Sequence, residues 1–90
     1  MPKVKIPTPL RKLTNQQSEV DAAGLTIRDI VDDLEKQFPG FKERMCDDNG
    51  DLRRFVNVYV GEEDIRFMHG LDTAIPDGET VSIIPAVAGG

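Results

Sequence analysis

Residues 26–40 read TIRDIVDDLEKQFPG, and this stretch decides what the rest of the chain must build around. Thr26 is a helix N-cap by residue type. Apolar residues then fall at Ile27, Ile30, Val31, Leu34 and Phe38, the i, i+3, i+4, i+7, i+11 series of one buried helical stripe. Asp29 stands three residues after the cap, where an acid closes a capping box and meets the positive end of the helix dipole. Pro39-Gly40 stops the helix, and Arg28, Asp32, Asp33, Glu35 and Lys36 make its solvent face.

Working outward, the flanks read as strands. Before the helix, Lys3 to Ile6 alternates charged and apolar residues and is stopped by Pro7 and Pro9. Leu13 to Gln17 is polar enough to turn, and Ser18 to Ala22 returns as a second short strand, completing a hairpin. After the helix, Phe41 to Arg53 reads as an excursion loop. Phe41 and Met45 are able to anchor a helical turn in it, and Asp47 to Asp51 carries turn chemistry. Phe55 to Val60 is the strongest strand, with Val56, Val58 and Val60 on one face. Gly61 to Asp64 turns the chain into a short Ile65-Arg66-Phe67 strand, Pro76-Asp77-Gly78 turns it again, and Thr80 to Ile84 is the last strand. One long helix among five strands predicts an α+β roll of the β-grasp type, a mixed sheet covered on one face. The first and last strands should then pair in parallel through a right-handed crossover.

The composition narrows the function classes. Ninety residues allow a single domain, 1–90, and exclude a two-domain enzyme. Sixteen acidic against eleven basic residues give a net charge of −5, which disfavours nucleic acid and anionic membranes as partners. No apolar run is long enough for a membrane helix, and the first twelve residues lack the apolar centre of a signal peptide. Cys46 is the only cysteine, so no internal disulfide forms, and a cytoplasmic location is expected.

Few residues offer chemistry. His69 is the only histidine and has no neighbouring metal ligands, so it reads as an exposed loop residue. Counted from Asp47, the calcium-loop positions six and twelve hold Leu52 and Val58 in place of glycine and glutamate, so that motif fails. Nearby acids should raise the Cys46 pKa and slow its reactions. No intrinsic cofactor or metal is expected.

The ending Ala86-Val87-Ala88-Gly89-Gly90 directly follows a strand. At an average glycine usage of ~7%, two terminal glycines arise by chance in only ~0.5% of chains. Without Cβ atoms, Gly89 and Gly90 are able to thread a narrow channel in a partner, and the six residues after Ile84 reach about 20 Å at roughly 3.3 Å each. Residues 86–90 are therefore read as a flexible tail whose reacting group is the Gly90 carboxylate. If the valines of the strong strand face the helix, Phe55, Asn57 and Tyr59 face away with Ser82 and Ile84. Phe55, Tyr59, Ile84 and the adjoining Pro85 then form a candidate partner patch. Partial cover by the Phe41 to Arg53 loop is the competing expectation for this face.

The helical stripe, the strand Arg54 to Val60, the turn Gly70 to Gly78 and the ending Ile84 to Gly90 together resemble the ubiquitin-like sulfur carriers of the ThiS/MoaD family over nearly the whole chain. Within that family the chain is most similar to the carriers that serve cysteine biosynthesis. The resemblance implies a protein co-substrate rather than an enzyme. An E1-like enzyme would adenylate Gly90 with ATP, and sulfur would replace the adenylate to give a thiocarboxylate. That nucleophile would attack an aminoacrylate on the pyridoxal phosphate of a cysteine synthase, and a zinc metalloprotease would release cysteine. ATP, pyridoxal phosphate and zinc would thus belong to partners. The alternatives are the small subunit of molybdopterin synthase and a ubiquitin-like modifier conjugated through Gly90, with a stand-alone enzyme as the outside reading.

Overall fold

The hairpin, helix and later strands assemble around one stripe of apolar side chains. The computed structural model describes residues 2–54 and 56–85, of Pro85 only the backbone. The strands are β1 (Lys3–Lys5), β2 (Glu19–Asp21), β3 (Val56–Val60), β4 (Glu63–Asp64) and β5 (Thr80–Pro85), and the helices are α1 (Ile27–Gln37) and α2 (Phe41–Met45). The sheet order is β2-β1-β5-β3-β4. β1 and β5 run parallel, as the crossover expectation requires, and the other neighbours are antiparallel. The β-grasp expectation holds.

Alternation along each strand sends Val4, Val20, Val56, Val58, Val60, Val81 and Ile83 inward, where they meet Ile27, Ile30, Val31 and Leu34 of α1. The Thr26 hydroxyl caps α1 by accepting from the Asp29 amide at 3.3 Å. Asp29 answers one residue further out than a strict capping box, accepting from the Leu25 amide at 3.2 Å. Phe38 leaves helical geometry as the C-cap, and Gly40, at φ +96°, turns the chain straight into α2.

One segment takes the helical option left open by the sequence reading, and one departs from that reading. Phe41 and Met45 anchor the short helix α2 within the Phe41 to Arg53 excursion. Phe41, Met45 and Cys46 are buried in the core beside α1. Ile65–Phe67 is a 3₁₀ turn and not a strand. The Asp64 carboxylate accepts from the Arg66 amide at 2.9 Å, an Asx-type cap that curls the chain before a ladder can form. Only Glu63–Asp64 pairs with β3. A second 3₁₀ turn, Thr8–Leu13, follows β1 and begins at the prolines that end it.

Candidate functional site

β5 emerges from the middle of the sheet, between β1 and β3. Its ladder with β3 reaches the pair Val56 and Pro85, and Pro85 is the last of the described residues. Gly90, Gly89 and Ala86 to Ala88 lie outside the described residues, as does Phe55 and the side chain of Pro85.

The remaining patch residues sit where alternation placed them. Tyr59 is half-buried and Ile84 is 47% exposed, both on the face turned away from α1. The register sets Tyr59 opposite Ser82 and Asn57 opposite Ile84, so Tyr59 and Ile84 are diagonal neighbours on adjacent strands. One row crosses the face as Glu19, Lys5, Ser82, Tyr59 and Asp64. At its β1–β2 side, Lys3 faces Asp21 and Lys5 faces Glu19, pairing opposite charges across the edge. Tyr59 and Ile84 thus lie beside a charged flank on the face turned away from α1.

Arg66 organises the start of β3, a role that reading it into a strand obscured. Its guanidinium donates to the carbonyls of Arg53 at 3.0 Å, Arg54 at 3.3 Å and Val56 at 2.8 Å, and to the side-chain oxygen of Asn57. The Val56 amide also donates to the Arg53 carbonyl. A planar fork of five N–H donors is what such a group of acceptors requires. The result fixes the start of β3, the strand that holds Pro85. The signal available in the sequence was Asp64, a capping residue two positions before Arg66.

Other titratable groups make separate contacts. Burial pushes the Cys46 thiol up, more than the adjoining Asp47 and Asp32 do, while Lys42 opposes both; the thiol is therefore held in its unreactive neutral form. On the helical side the amides of Lys42 and Gly40 hold the Glu35 carboxyl below its usual range. The Ala23 amide and the Gln37 side chain do the same for Asp33. Asp32 bonds to Lys42 at 2.9 Å and raises the pKa of that amine. His69 is exposed, with its backbone amide bonded to the Thr73 hydroxyl. Among the described residues no three of His, Cys, Asp and Glu gather as metal ligands, and no helix is long and apolar enough to cross a membrane.

The comparisons with known proteins give the family. The ThiS family model matches residues 4–90. The chain belongs to the ThiS family. It is 52% identical over 89 residues to the sulfur carrier protein CysO of Mycobacterium tuberculosis, covering 97% of this chain and 96% of that protein. The crystal structure of M. tuberculosis CysO superposes with a TM-score of 0.92 at 48% identity, over 97% of this chain and 100% of that one. The crystal structure of the Amycolatopsis orientalis BexX/CysO complex matches with a TM-score of 0.93 at 46% identity, over the whole of both chains. Within the ThiS family this chain is thus CysO-like in sequence as well as in fold.

Proposed function

We propose that this chain is a sulfur carrier for cysteine biosynthesis, acting as a co-substrate through the Gly90 carboxylate. The observation that carries this is its near full-length identity of 52% to CysO, a protein named as a sulfur carrier. The Gly89-Gly90 ending that follows β5 in the sequence supports it.

The chemistry required is group transfer. An E1-like enzyme joins the Gly90 carboxylate to the α-phosphorus of ATP and expels pyrophosphate. A sulfide equivalent then displaces AMP, leaving a thiocarboxylate that is a soft nucleophile at neutral pH. A pyridoxal-phosphate-dependent cysteine synthase would supply a three-carbon acceptor for the thiocarboxylate sulfur, giving an S-acylated cysteine. Once its amine is free, an S-to-N shift moves the Gly90 acyl group from the cysteine sulfur to that amine, breaking the thioester and forming an amide. A zinc metalloprotease hydrolyses that amide and regenerates the Gly90 carboxylate. This chain contributes the tail, its exit geometry and the surface recognised by those enzymes.

Reconstitution tests the reading. The full chain with ATP, the activating enzyme and a sulfide source should release pyrophosphate and acquire a thiocarboxylate, and deletion of Gly90 should abolish both. Activation that survives the deletion would overturn it.

A further inference from the structure

Asn49-Gly50 is the one Asn-Gly pair in the chain; the other asparagines, Asn15 and Asn57, precede Gln16 and Val58. The fold places the pair at the tip of a small hairpin. Cys46 and Leu52 bridge its base. The Asp47 amide donates to the Asp51 carbonyl at 2.8 Å, and the Gly50 amide donates to the Asp47 carbonyl at 3.0 Å. Asp48 and Asn49 are therefore the central residues of a hydrogen-bonded turn. Both have negative φ, since Asn15 and Gln16 are the only non-glycine residues with positive φ among the described residues, and that leaves type I. Gly50, at φ +84°, takes the left-handed position that follows such a turn in a three-residue hairpin loop. Asn49 is exposed, and a Cβ at Gly50 would meet nothing within 4 Å, so the tip faces solvent.

This pair carries a reaction of its own. Attack of the Gly50 nitrogen on the Asn49 carboxamide carbon forms a new C–N bond, expels ammonia and closes a five-membered succinimide, the amide proton of Gly50 going to water. Water then opens the ring at either carbonyl and leaves aspartate or isoaspartate. No oxidant, reductant or cofactor enters. Glycine leaves its nitrogen uncrowded, whereas the side chains of Gln16 and β-branched Val58 crowd theirs.

The native turn holds the reaction back. Ring closure needs the Asn49 Cβ eclipsed on the Gly50 nitrogen about the Cα–C bond, and a type I turn keeps ψ of that residue near 0°, roughly a third of a rotation away. The Asp47 side chain reinforces the turn: its Oδ1 accepts from the Asn49 amide at 2.9 Å and from the Asp51 amide at 3.1 Å. The ring therefore closes only from an opened turn, and Asp47 sets how often it opens.

We propose that Asn49 is a site of spontaneous deamidation, with the Gly50 nitrogen as nucleophile and the Asp47 carboxylate as the latch that sets its rate. Either product adds a negative charge to a chain whose net charge is already −5. Isoaspartate also inserts a methylene into the main chain of the loop that Cys46 and Leu52 close. Arg53 follows directly and gives its carbonyl to Arg66, so the change falls beside the contacts that fix the start of β3.

The test incubates the full chain in heavy-oxygen water at neutral pH and follows its peptides by mass spectrometry. The peptide containing Asn49 should lose its side-chain nitrogen and take up heavy oxygen with time, and those containing Asn15 and Asn57 should not. Asp47→Ala should react about fivefold faster, the effect of losing two exposed hydrogen bonds, and the chain unfolded in urea faster still. Asp48→Ala removes the same charge from the neighbouring residue, outside these bonds, and should keep the unsubstituted rate. An unmodified native chain, over a period in which the unfolded chain reacts, overturns the proposal, as does earlier reaction at Asn15 or Asn57. An Asp47→Ala rate within about twofold of the unsubstituted chain, or an equal acceleration in Asp48→Ala, overturns the latch.

Discussion

Replacing Arg66 by alanine removes the donor that holds the start of β3. Of its four acceptors, only the Val56 carbonyl lies in a partly buried setting; those of Arg53 and Arg54 and the Asn57 oxygen are open to water. Water replaces the exposed partners at little cost, so most of the loss comes from the Val56 bond. A hydrogen bond to a charged group contributes about 1.5–3 kcal/mol. A total near 2 kcal/mol is expected, and in a domain of this size it corresponds to a fall of roughly 8–16 °C in Tm. Urea denaturation would give the free energy, and hydrogen exchange should show faster exchange at Val56 and Asn57 with little change in α1. Arg66→Lys should recover at most half, because an ammonium on a single stem cannot reach acceptors on three consecutive segments of backbone. A loss below about 0.5 kcal/mol, or complete rescue by lysine, would refute the role assigned to the fork.

Three further outcomes follow from local geometry. Gly24 has φ +154° and a Cβ there would lie 2.5 Å from the Asp29 Cβ, whereas at Gly61, φ +64°, it would meet only the mobile Glu79 carboxylate. Thermal melts should accordingly show Gly24→Ala costing about 3 kcal/mol or more and Gly61→Ala about 1 kcal/mol; the reverse order would contradict the packing. The lowered Glu35 pKa means that its contribution is complete above the unfolded carboxylate value, about 4.3, and is lost as pH falls through the folded value. Urea midpoints taken between neutral and acid pH should therefore fall less steeply in Glu35→Gln, and an unchanged slope would count against the amide contacts. Cys46, buried and held neutral, should react with a thiol reagent only as fast as the protein opens; prompt labelling of the native chain would show otherwise.

The parts of the fold legible in the sequence are those whose information is periodic. The α1 stripe repeats over three turns, and the valines of β3 alternate without interruption, so each fixes its own buried face. The parallel pairing of β1 with β5 follows from chain order and handedness. Ile65–Phe67 misled because its isoleucine and phenylalanine have strand propensity, while the deciding contact, the Asp64 carboxylate on the Arg66 amide, leaves no periodic trace. α2 is five residues long, with Phe41 and Met45 as its only repeat, too little for a period to emerge. The prolines at 7 and 9 read as a break, though they also begin the 3₁₀ turn over Thr8–Leu13. At the candidate site, the outward positions of Tyr59 and Ile84 were readable from alternation. The reach of Arg66 to Arg53, Arg54 and Val56 was not, because it joins segments that only the folded chain brings together.

The central claim concerns one carboxylate, and mass spectrometry of the intact, untagged protein from its native host reads it most directly. The terminal peptide must be isolated after thiol alkylation, since exchange of oxygen for sulfur adds nearly the mass gained by oxidising any of the three methionines. A thiocarboxylate or a cysteine adduct localised to Gly90 is the expected result. An unmodified Gly90 in cells that are actively making cysteine would contradict it.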